Sequence, residues 1–185
     1  PLAKKPEILL SKVREFKRFG YESIAYLSPT FLAENTPAWG QFAAKRATSF
    51  RDSTSKDVMR MGAPFTLIDP GYQLWNVFAR NNILEFINSN ELIGVYFDNM
   101  QVYGLHDKKN RYGYIDNGKQ YVEYPVRKFR KIYKDFYEQA KLLNENFLVV
   151  GHASGNIPVP LLSFTDIHIN GEQYGKDDIE RYIGR

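Results

Sequence analysis

Hydrophobic residues recur along this chain at two spacings, and the two spacings predict different elements. A period near 3.6 residues, typical of helices, runs through the segments 6–20, 72–89 and 125–143. Short apolar runs, typical of buried strands, lie at 23–29, 92–98, 147–153 and 164–172. Helices and strands therefore alternate along most of the chain, and this alternation favours a parallel sheet with helical crossovers.

Two long stretches show neither spacing. Residues 29–72 contain four prolines and predict a loop-rich connection, in which "APFTLID" (63–69) is either a strand or an extended loop. Residues 99–124 are polar and rich in Gly and Tyr, which predicts a second long loop. "GNIPVPLLS" (155–163) is predicted as a loop or a short helix, and the tail 176–185 as the start of another helix.

The order of elements fits two α/β architectures. A doubly wound sheet that binds a nucleotide carries a Gly-rich phosphate loop, yet neither G-x-G-x-x-G nor G-x-x-x-x-G-K-[ST] occurs here. A (β/α)8 barrel instead places its chemistry at the carboxyl ends of its strands, and such barrels typically need about 250 residues. Since the chain has 185 residues, we predict an α/β, partial (β/α)8 TIM-like barrel, with about four to five β/α units of a larger barrel. Residues 1–185 are predicted to be a single domain, because no linker composition divides them.

Composition and charge narrow the classes of function. The chain is 43% hydrophobic and 25% charged, which is ordinary for a globular domain. Its net charge is +4, but the densest basic run (127–134) falls on a predicted amphipathic helix, so a solvated face is favoured over a nucleic-acid site. The absence of Cys excludes thiolate catalysis and Cys-type zinc sites. No membrane span is expected, because no run of about 18 apolar residues occurs.

Polar and aromatic side chains gather at the carboxyl ends of the predicted strands. Because side chains alternate between the two faces of a strand, residues two apart share a face. Each predicted strand thereby has one face that turns polar or aromatic near its end, and in a barrel this face would line the active-site end of the lumen. The residues concerned are Tyr26, Tyr96, Asp98, His152, His168, Asn170 and Glu172.

Asp98 and Glu172 are the acids that end two of these strands. One acid at a strand end is usually a cap or an ion-pair partner. Two on nearby strands suit cleavage of a glycosidic bond, in which one donates a proton and the other stabilises or attacks the oxocarbenium-like centre. If His152 lies on the strand between them, the acids are two strands apart, and at about 4.8 Å per strand both retaining and inverting geometries stay open.

Three roles are open for the two histidines at the strand ends. His152 and His168 could ligate a metal, bind a sugar by hydrogen bonds, or be satisfied core groups. No H-E-x-x-H or H-x-H motif occurs, so no metal and no other cofactor is expected.

The order of several motifs resembles a family. The succession "GVYFD", "RYGYID", "YPVRKFRKIYKDFYEQAK", "VVGHASG" and "FTDIHINGEQY" is similar to bacterial glycoside-hydrolase-like barrels, the domain-of-unknown-function relatives of the family-123 N-acetylgalactosaminidases. The resemblance covers roughly residues 20–175. It implies a TIM-like barrel acting on glycans, often in a secreted or periplasmic protein, although no signal peptide is visible in this chain. The chain is expected to be a fragment of such a barrel, because it is too short for a whole one, and its start without Met agrees with this expectation.

One departure from the family bears on mechanism. Family-123 enzymes are associated with an adjacent Asp-Glu pair and substrate-assisted catalysis, but no Asp-Glu dipeptide occurs here, so that mechanism does not carry over. The order of Asp98 and then Glu172 two strands later looks more like retaining α-galactosidase-type barrels.

The sequence therefore predicts a glycoside hydrolase with two-carboxylate acid/base chemistry, retaining by preference. Asp98 is expected to be the nucleophile or stabiliser and Glu172 the general acid/base. The residues expected to bind the substrate are Tyr26, Tyr96, His152, His168, Asn170, Tyr112 and Trp75. Expected partners are a carbohydrate and the remainder of the barrel in the full-length chain, with no nucleic acid. The alternative is a non-catalytic carbohydrate-binding or structural barrel domain of a larger secreted protein.

Overall fold

The computed structural model describes residues 6–43, 47–52, 65–106, 112–153 and 158–170. These residues belong to two compact units. The first comprises Pro1–Ser28, Leu84–Gln101 and Tyr133–Arg185, and the second comprises Pro29–Ile83 and Val102–Ile132. The expectation that residues 1–185 form a single domain stays a prediction.

The helices lie close to the predicted segments. They are α1 (Pro6–Arg18), α2 (Gln73–Ser89), α3 (Val126–Leu143) and the short α4 (Val159–Leu162), with a π-helical segment at Trp39–Ala43. The strands are β1 (Ile24–Leu27), β2 (Phe31–Ala33), β3 (Ala47–Asp52), β4 (Phe65–Ile68), β5 (Gly94–Phe97), β6 (Tyr114–Asp116), β7 (Lys119–Tyr121), β8 (Leu148–His152) and β9 (Ile167–Ile169). No helix in the described ranges is both long and apolar enough to cross a membrane.

The first unit contains a four-stranded sheet in the order β1-β5-β8-β9, and all three pairings are parallel. These are the four strands that the apolar runs predict, so the predicted parallel α/β architecture is confirmed. Tyr26 pairs with Tyr96, and Tyr96 pairs with Val150, so the carboxyl ends of β1, β5 and β8 lie side by side.

One face of this sheet is closed by α3. Phe97 is fully buried, and its ring meets those of Tyr133 and Phe136 at centroid distances of 5.5 and 4.8 Å. Burying a side chain of this size stabilises the fold by about 1.5–3 kcal/mol. Because residues two apart share a face, Phe97 on the helix-facing side leaves Tyr96 and Asp98 on the other side.

Gly94 allows β5 and β8 to approach closely. A Cβ atom at this position would lie 2.0 Å from the carbonyl oxygen of Leu148, which is backbone and cannot move aside. The residue that begins β5 therefore has to be Gly.

The second unit is antiparallel, which the sequence reading missed. β2, β4 and β3 form one sheet in that order, so the stretch 63–69 contains a strand and the described part of the predicted loop 29–72 contains three strands. Its core is a cluster of buried apolar residues to which α2 contributes: Leu32, Phe42, Ile68, Trp75 and Ala79. β2 has only three residues and β3 lacks regular apolar alternation, so neither gives the pattern of a strand in sequence.

A hairpin of β6 and β7 lies inside the predicted loop 99–124. Its turn is Asn117-Gly118, with φ of 50° and 74°. Positive φ at both central residues is what a two-residue hairpin turn requires, and Asn-Gly is its commonest sequence. The hairpin signal was therefore present in "IDNGKQ", and the prediction of a loop was wrong there.

Candidate active site

Asp98 follows β5 directly, and backbone hydrogen bonds on both sides fix its position. Its N–H donates to the carbonyl of Leu27 at 3.0 Å, which extends the β1–β5 ladder by one residue. Asn99 then adopts a left-handed conformation with φ of 55°, so the chain turns away immediately after the acid. The N–H of Met100 donates to the carbonyl of His152 at 2.8 Å, and the turn is thereby tied to the end of β8.

Three polar side chains converge on the Asp98 carboxylate. Tyr26 Oη donates to Oδ2 at 2.5 Å, and Asn99 Nδ2 donates to the same oxygen at 3.0 Å. His152 Nδ1 lies 2.9 Å from Oδ1. The side chains of His152 and Asp98 are 6% and 20% exposed, so the pair is shielded from bulk water while part of the carboxylate stays accessible.

Three rings lie in a row beside this carboxylate, one from each of β1, β5 and β8. The rings of Tyr26 and Tyr96 stack with a centroid distance of 5.2 Å and an angle of 18°. The ring of His152 is 5.7 Å from that of Tyr96. Tyr26 is 68% exposed, so the row is open at its β1 end. The structure thus brings together four of the predicted site residues: Tyr26, Tyr96, Asp98 and His152.

His168 does not belong to this group, which corrects its predicted role. In the β8–β9 register it pairs with Gly151, whereas His152 pairs with Ile169. Register partners in a parallel sheet share a face, so His168 points to the side opposite His152. Both ring nitrogens of His168 are buried without a hydrogen-bond partner among the described residues. The face of β9 that turns to the site carries Ile167 and Ile169.

The last part of β9 bears on the second acid. Asn170 directly follows β9 and is exposed, and it takes part in none of the hydrogen bonds that the described residues make to the Asp98 carboxylate. Glu172 lies outside the described residues. Its pairing with Asp98 stays a prediction, as does the distance between the two carboxylates.

Trp75 is a core residue, which corrects its predicted place among the substrate-binding residues. Its side chain is buried in the second unit against Phe42 and Phe78, and its indole N–H donates to the carbonyl of Pro29 at 3.0 Å. The ring therefore presents no face to a ligand.

Tyr112 is also buried in the second unit, which corrects its predicted role too. Its hydroxyl donates to Asp69, the acid that follows β4, and accepts a hydrogen bond from Lys128 at 3.2 Å. Lys128 Nζ also lies 4.3 Å from the centre of the Tyr112 ring. This group holds the loop after β4 against α3, which is a structural task.

Asp166 was not among the predicted site residues, yet it anchors the sheet that carries them. Its carboxylate accepts the N–H of Val149 at 2.8 Å, the hydroxyl of Tyr137 at 3.1 Å and Nζ of Lys141 at 3.0 Å. Partial burial on its own would raise the pKa of Asp166, but these three donors together bring that pKa below its ordinary value. The pKa of Tyr137 is raised, by burial first and then by the adjacent Asp166 charge.

Asn99 was also missed, although "YFDNM" places it directly after the acid. Asn tolerates the left-handed conformation better than most residues, and its amide reaches back to the preceding side chain. Within the described ranges no group of three His, Asp or Glu side chains is arranged to hold a metal ion.

Comparison with known proteins bears on the fold. No protein-family model and no curated protein matches the sequence. Among solved structures, a cycloisomaltooligosaccharide glucanotransferase from Paenibacillus sp. matches 89% of this chain and 24% of its own, with a TM-score of 0.64 and 11% identity. An α-galactosidase from Lactobacillus brevis matches 92% of this chain and 22% of its own, with a TM-score of 0.64 and 11% identity. Ega3 from Aspergillus fumigatus, solved with galactosamine, matches 95% of this chain and 60% of its own, with a TM-score of 0.62 and 14% identity.

These likenesses define the fold and its extent. Identities of 11–14% show the fold alone, and the chain spans 22–60% of the lengths of these three proteins. No match supports the family-123 relatives in particular, so that resemblance stays a prediction. The parallel sheet and these glycosidase-like neighbours together give the chain the fold of part of a (β/α)8 barrel.

Proposed function

We propose that this chain carries the catalytic carboxylate of a glycoside hydrolase, and that Asp98 is the nucleophile of a retaining mechanism with Glu172 as general acid/base. The observation that carries the proposal is the placement of Asp98. It follows a parallel strand of a partial glycosidase-like barrel, and Tyr26 and His152 from the two flanking strands bind its two oxygens. The carboxyl ends of barrel strands are where TIM-barrel enzymes hold their active sites.

The hydrogen bonds of Asp98 favour the role of nucleophile over that of general acid. Tyr26 Oη and Asn99 Nδ2 donate to Oδ2, and His152 donates to Oδ1 in the tautomer that carries its proton on Nδ1, which is the one this proposal requires. A carboxyl group that had to donate a proton to a leaving oxygen would face donors on both of its oxygens. The proton is therefore assigned to the other acid, Glu172.

The proposed reaction has two balanced steps. In the first, Asp98 attacks the anomeric carbon, the glycosidic C–O bond breaks, and the leaving oxygen takes a proton from Glu172. In the second, Glu172 takes a proton from water, the water oxygen bonds to the anomeric carbon, and the bond to Asp98 breaks. The stacked rings of Tyr26 and Tyr96 lie beside Asp98 on the same face of the sheet.

The test is turnover of a glycan panel by the purified protein and four variants. Asp98→Asn is expected to lower kcat by at least about 10³-fold, because it removes the nucleophile. Glu172→Gln is expected to lower kcat by about 10²–10⁴-fold, because it removes proton transfer. The matched controls are Asp116→Asn and Glu85→Gln, which neutralise exposed acids on β6 and α2 and should keep wild-type activity.

Azide separates the two roles. Azide should restore activity to Asp98→Gly with formation of a glycosyl azide of inverted configuration, because the small anion enters from the side that Asp98 leaves empty. Near-normal turnover by Asp98→Asn or Glu172→Gln would contradict the pairing. A protein that binds a glycan equally well with Glu172→Gln and hydrolyses none would be the non-catalytic domain instead.

A further inference from the structure

We propose that Tyr26 and His152 are positioning residues rather than sugar ligands, and that they fix Asp98 so that Oδ1 is its reacting oxygen. This inference rests on the proposed function for its chemistry. Its structural part, the orientation of the carboxylate, rests on hydrogen bonds alone.

The two carboxylate oxygens of Asp98 make different numbers of hydrogen-bond contacts. A carboxylate oxygen has two lone pairs that can accept hydrogen bonds. Oδ2 accepts from Tyr26 Oη and Asn99 Nδ2, so both of its lone pairs are engaged. Oδ1 contacts only His152 Nδ1 among the described residues, which leaves one lone pair to form a bond to carbon.

The polar atoms of Tyr26 and His152 are turned to Asp98. Tyr26 is an exposed residue, yet its hydroxyl lies 2.5 Å from Oδ2. His152 is buried, and its ring nitrogen Nδ1 lies 2.9 Å from Oδ1 of Asp98. The rings of both residues lie against Tyr96, which restricts their rotation. Loss of a side chain that positions the nucleophile slows the chemical step, whereas loss of a side chain that binds the sugar weakens substrate binding.

The backbone makes this arrangement rigid. Tyr26 and Tyr96 are register partners in the β1–β5 ladder. The carbonyl of His152 accepts the N–H of Met100, so His152 is fixed to the turn after Asp98 through main chain as well as side chain. Carboxylate and donors are therefore held before any substrate arrives, and such preorganisation is what accelerates a displacement reaction.

The first arm of the test is covalent labelling of the purified protein by a panel of cyclophellitol-type aziridines in gluco, galacto and N-acetylgalactosamine configurations. Ring opening forms a C–O bond to the nucleophile and breaks a C–N bond, and the nitrogen takes its proton from the acid, so intact mass reports on Asp98 directly. Tyr26→Phe is expected to lower kinact by about 10–100-fold and to leave KI within about twofold. The matched control is Tyr114→Phe, at an exposed tyrosine that also stacks on another tyrosine but lies on the hairpin.

His152 offers an internal comparison. His152→Leu should lose labelling, whereas His152→Asn can place an amide N–H close to the Nδ1 position and should recover at least about tenfold of the lost rate. Wild-type kinact in both Tyr26→Phe and His152→Leu, or a change confined to KI, would overturn the positioning roles.

The second arm of the test is spectroscopic and does not depend on catalytic activity. The ¹⁵N spectrum of the His152 ring is expected to show Nδ1 protonated, with a signal that moves in Tyr26→Phe and again in Asp98→Ala. A ring protonated on Nε2 alone would overturn the inference whatever the labelling shows. A wild-type protein that no probe labels would count against the proposed function, and the ring spectrum would then decide the positioning roles by itself.

Discussion

At the scale of single residues, the donors around an acid decide what it can do. Asp98 and Asp166 both flank strands of the parallel sheet, and each carboxylate lies within hydrogen-bond distance of three groups of this chain. The donors to Asp166 include a strand N–H and Lys141 of α3, so its charge is tied to the packing of β8, β9 and α3. The side chains that contact Asp98 lie at or next to strand ends, on the face away from α3.

The Asp166 contacts predict a dependence of stability on pH. Its folded pKa lies below the unfolded value of about 3.9, so the stabilisation is complete above that value and is lost as pH falls through it towards the folded pKa. Asp166→Asn is therefore expected to cost about 1.5–3 kcal/mol of unfolding free energy at pH 7 and progressively less near pH 3. Urea unfolding at several pH values measures this difference. Asp116→Asn, at an exposed acid, is the control, and an equal loss for Asp166→Asn at both pH values would contradict the assignment.

At the scale of elements, the hairpin of β6 and β7 depends on its turn more than on its strands. Each strand has only three residues, and the three side chains of β6 are all exposed. The turn supplies positive φ at both central positions, which removes the cost of reversing the chain.

Gly118→Ala tests this dependence. A Cβ atom at Gly118 would meet nothing within 4 Å, so the whole cost is conformational and should be about 1–2 kcal/mol in urea unfolding. Gly40→Ala is a close control, because a Cβ atom there also meets nothing within 4 Å but its φ is not in the left-handed region. That variant should be neutral or slightly stabilising. Equal effects of the two substitutions would show that φ at the turn is not what matters.

At the scale of the whole molecule, the parallel unit was predictable and the antiparallel unit was not. The apolar runs around Val95 and Val149 are long enough to mark buried strands, and their alternation with helices sets the topology. β2 and β3 give no such signal, because they are short or irregular and gain their place through pairing with β4. Pairing partners distant in sequence cannot be read from local periodicity.

The candidate site could be predicted within single strands but not across the sheet. Parity along single strands correctly grouped Tyr96 with Asp98, but the relation of one strand to the next depends on register. His168 shows why register matters. Its strand was predicted correctly, but in the observed register it pairs with Gly151 instead of His152 and therefore lies on the other face of the sheet. Trp75 shows a second limit, because an aromatic residue on a helix has the same pattern whether it packs in a core or against a ligand.

The sheet order also predicts how protection from exchange is distributed. β5 and β8 are paired on both sides within the described sheet, whereas β1 and β9 are paired on one side. Amides of β5 and β8 should therefore exchange with deuterium most slowly, and those of β1 and β9 earlier. Hydrogen exchange followed by mass spectrometry measures this order, and exchange from β5 ahead of β1 would contradict the sheet order.

The Asn117-Gly118 turn has one more consequence, for the chemical lifetime of the protein. Gly leaves the backbone nitrogen after Asn unhindered, so an Asn-Gly dipeptide is open to attack by that nitrogen on the Asn side-chain carbonyl, and this chain has a second such pair at Asn170-Gly171. The product, isoaspartate, adds a methylene group to the main chain in the middle of a turn that has only two residues. The turn that lets so short a hairpin form is thus also a point at which the hairpin of an ageing sample is open to chemical damage.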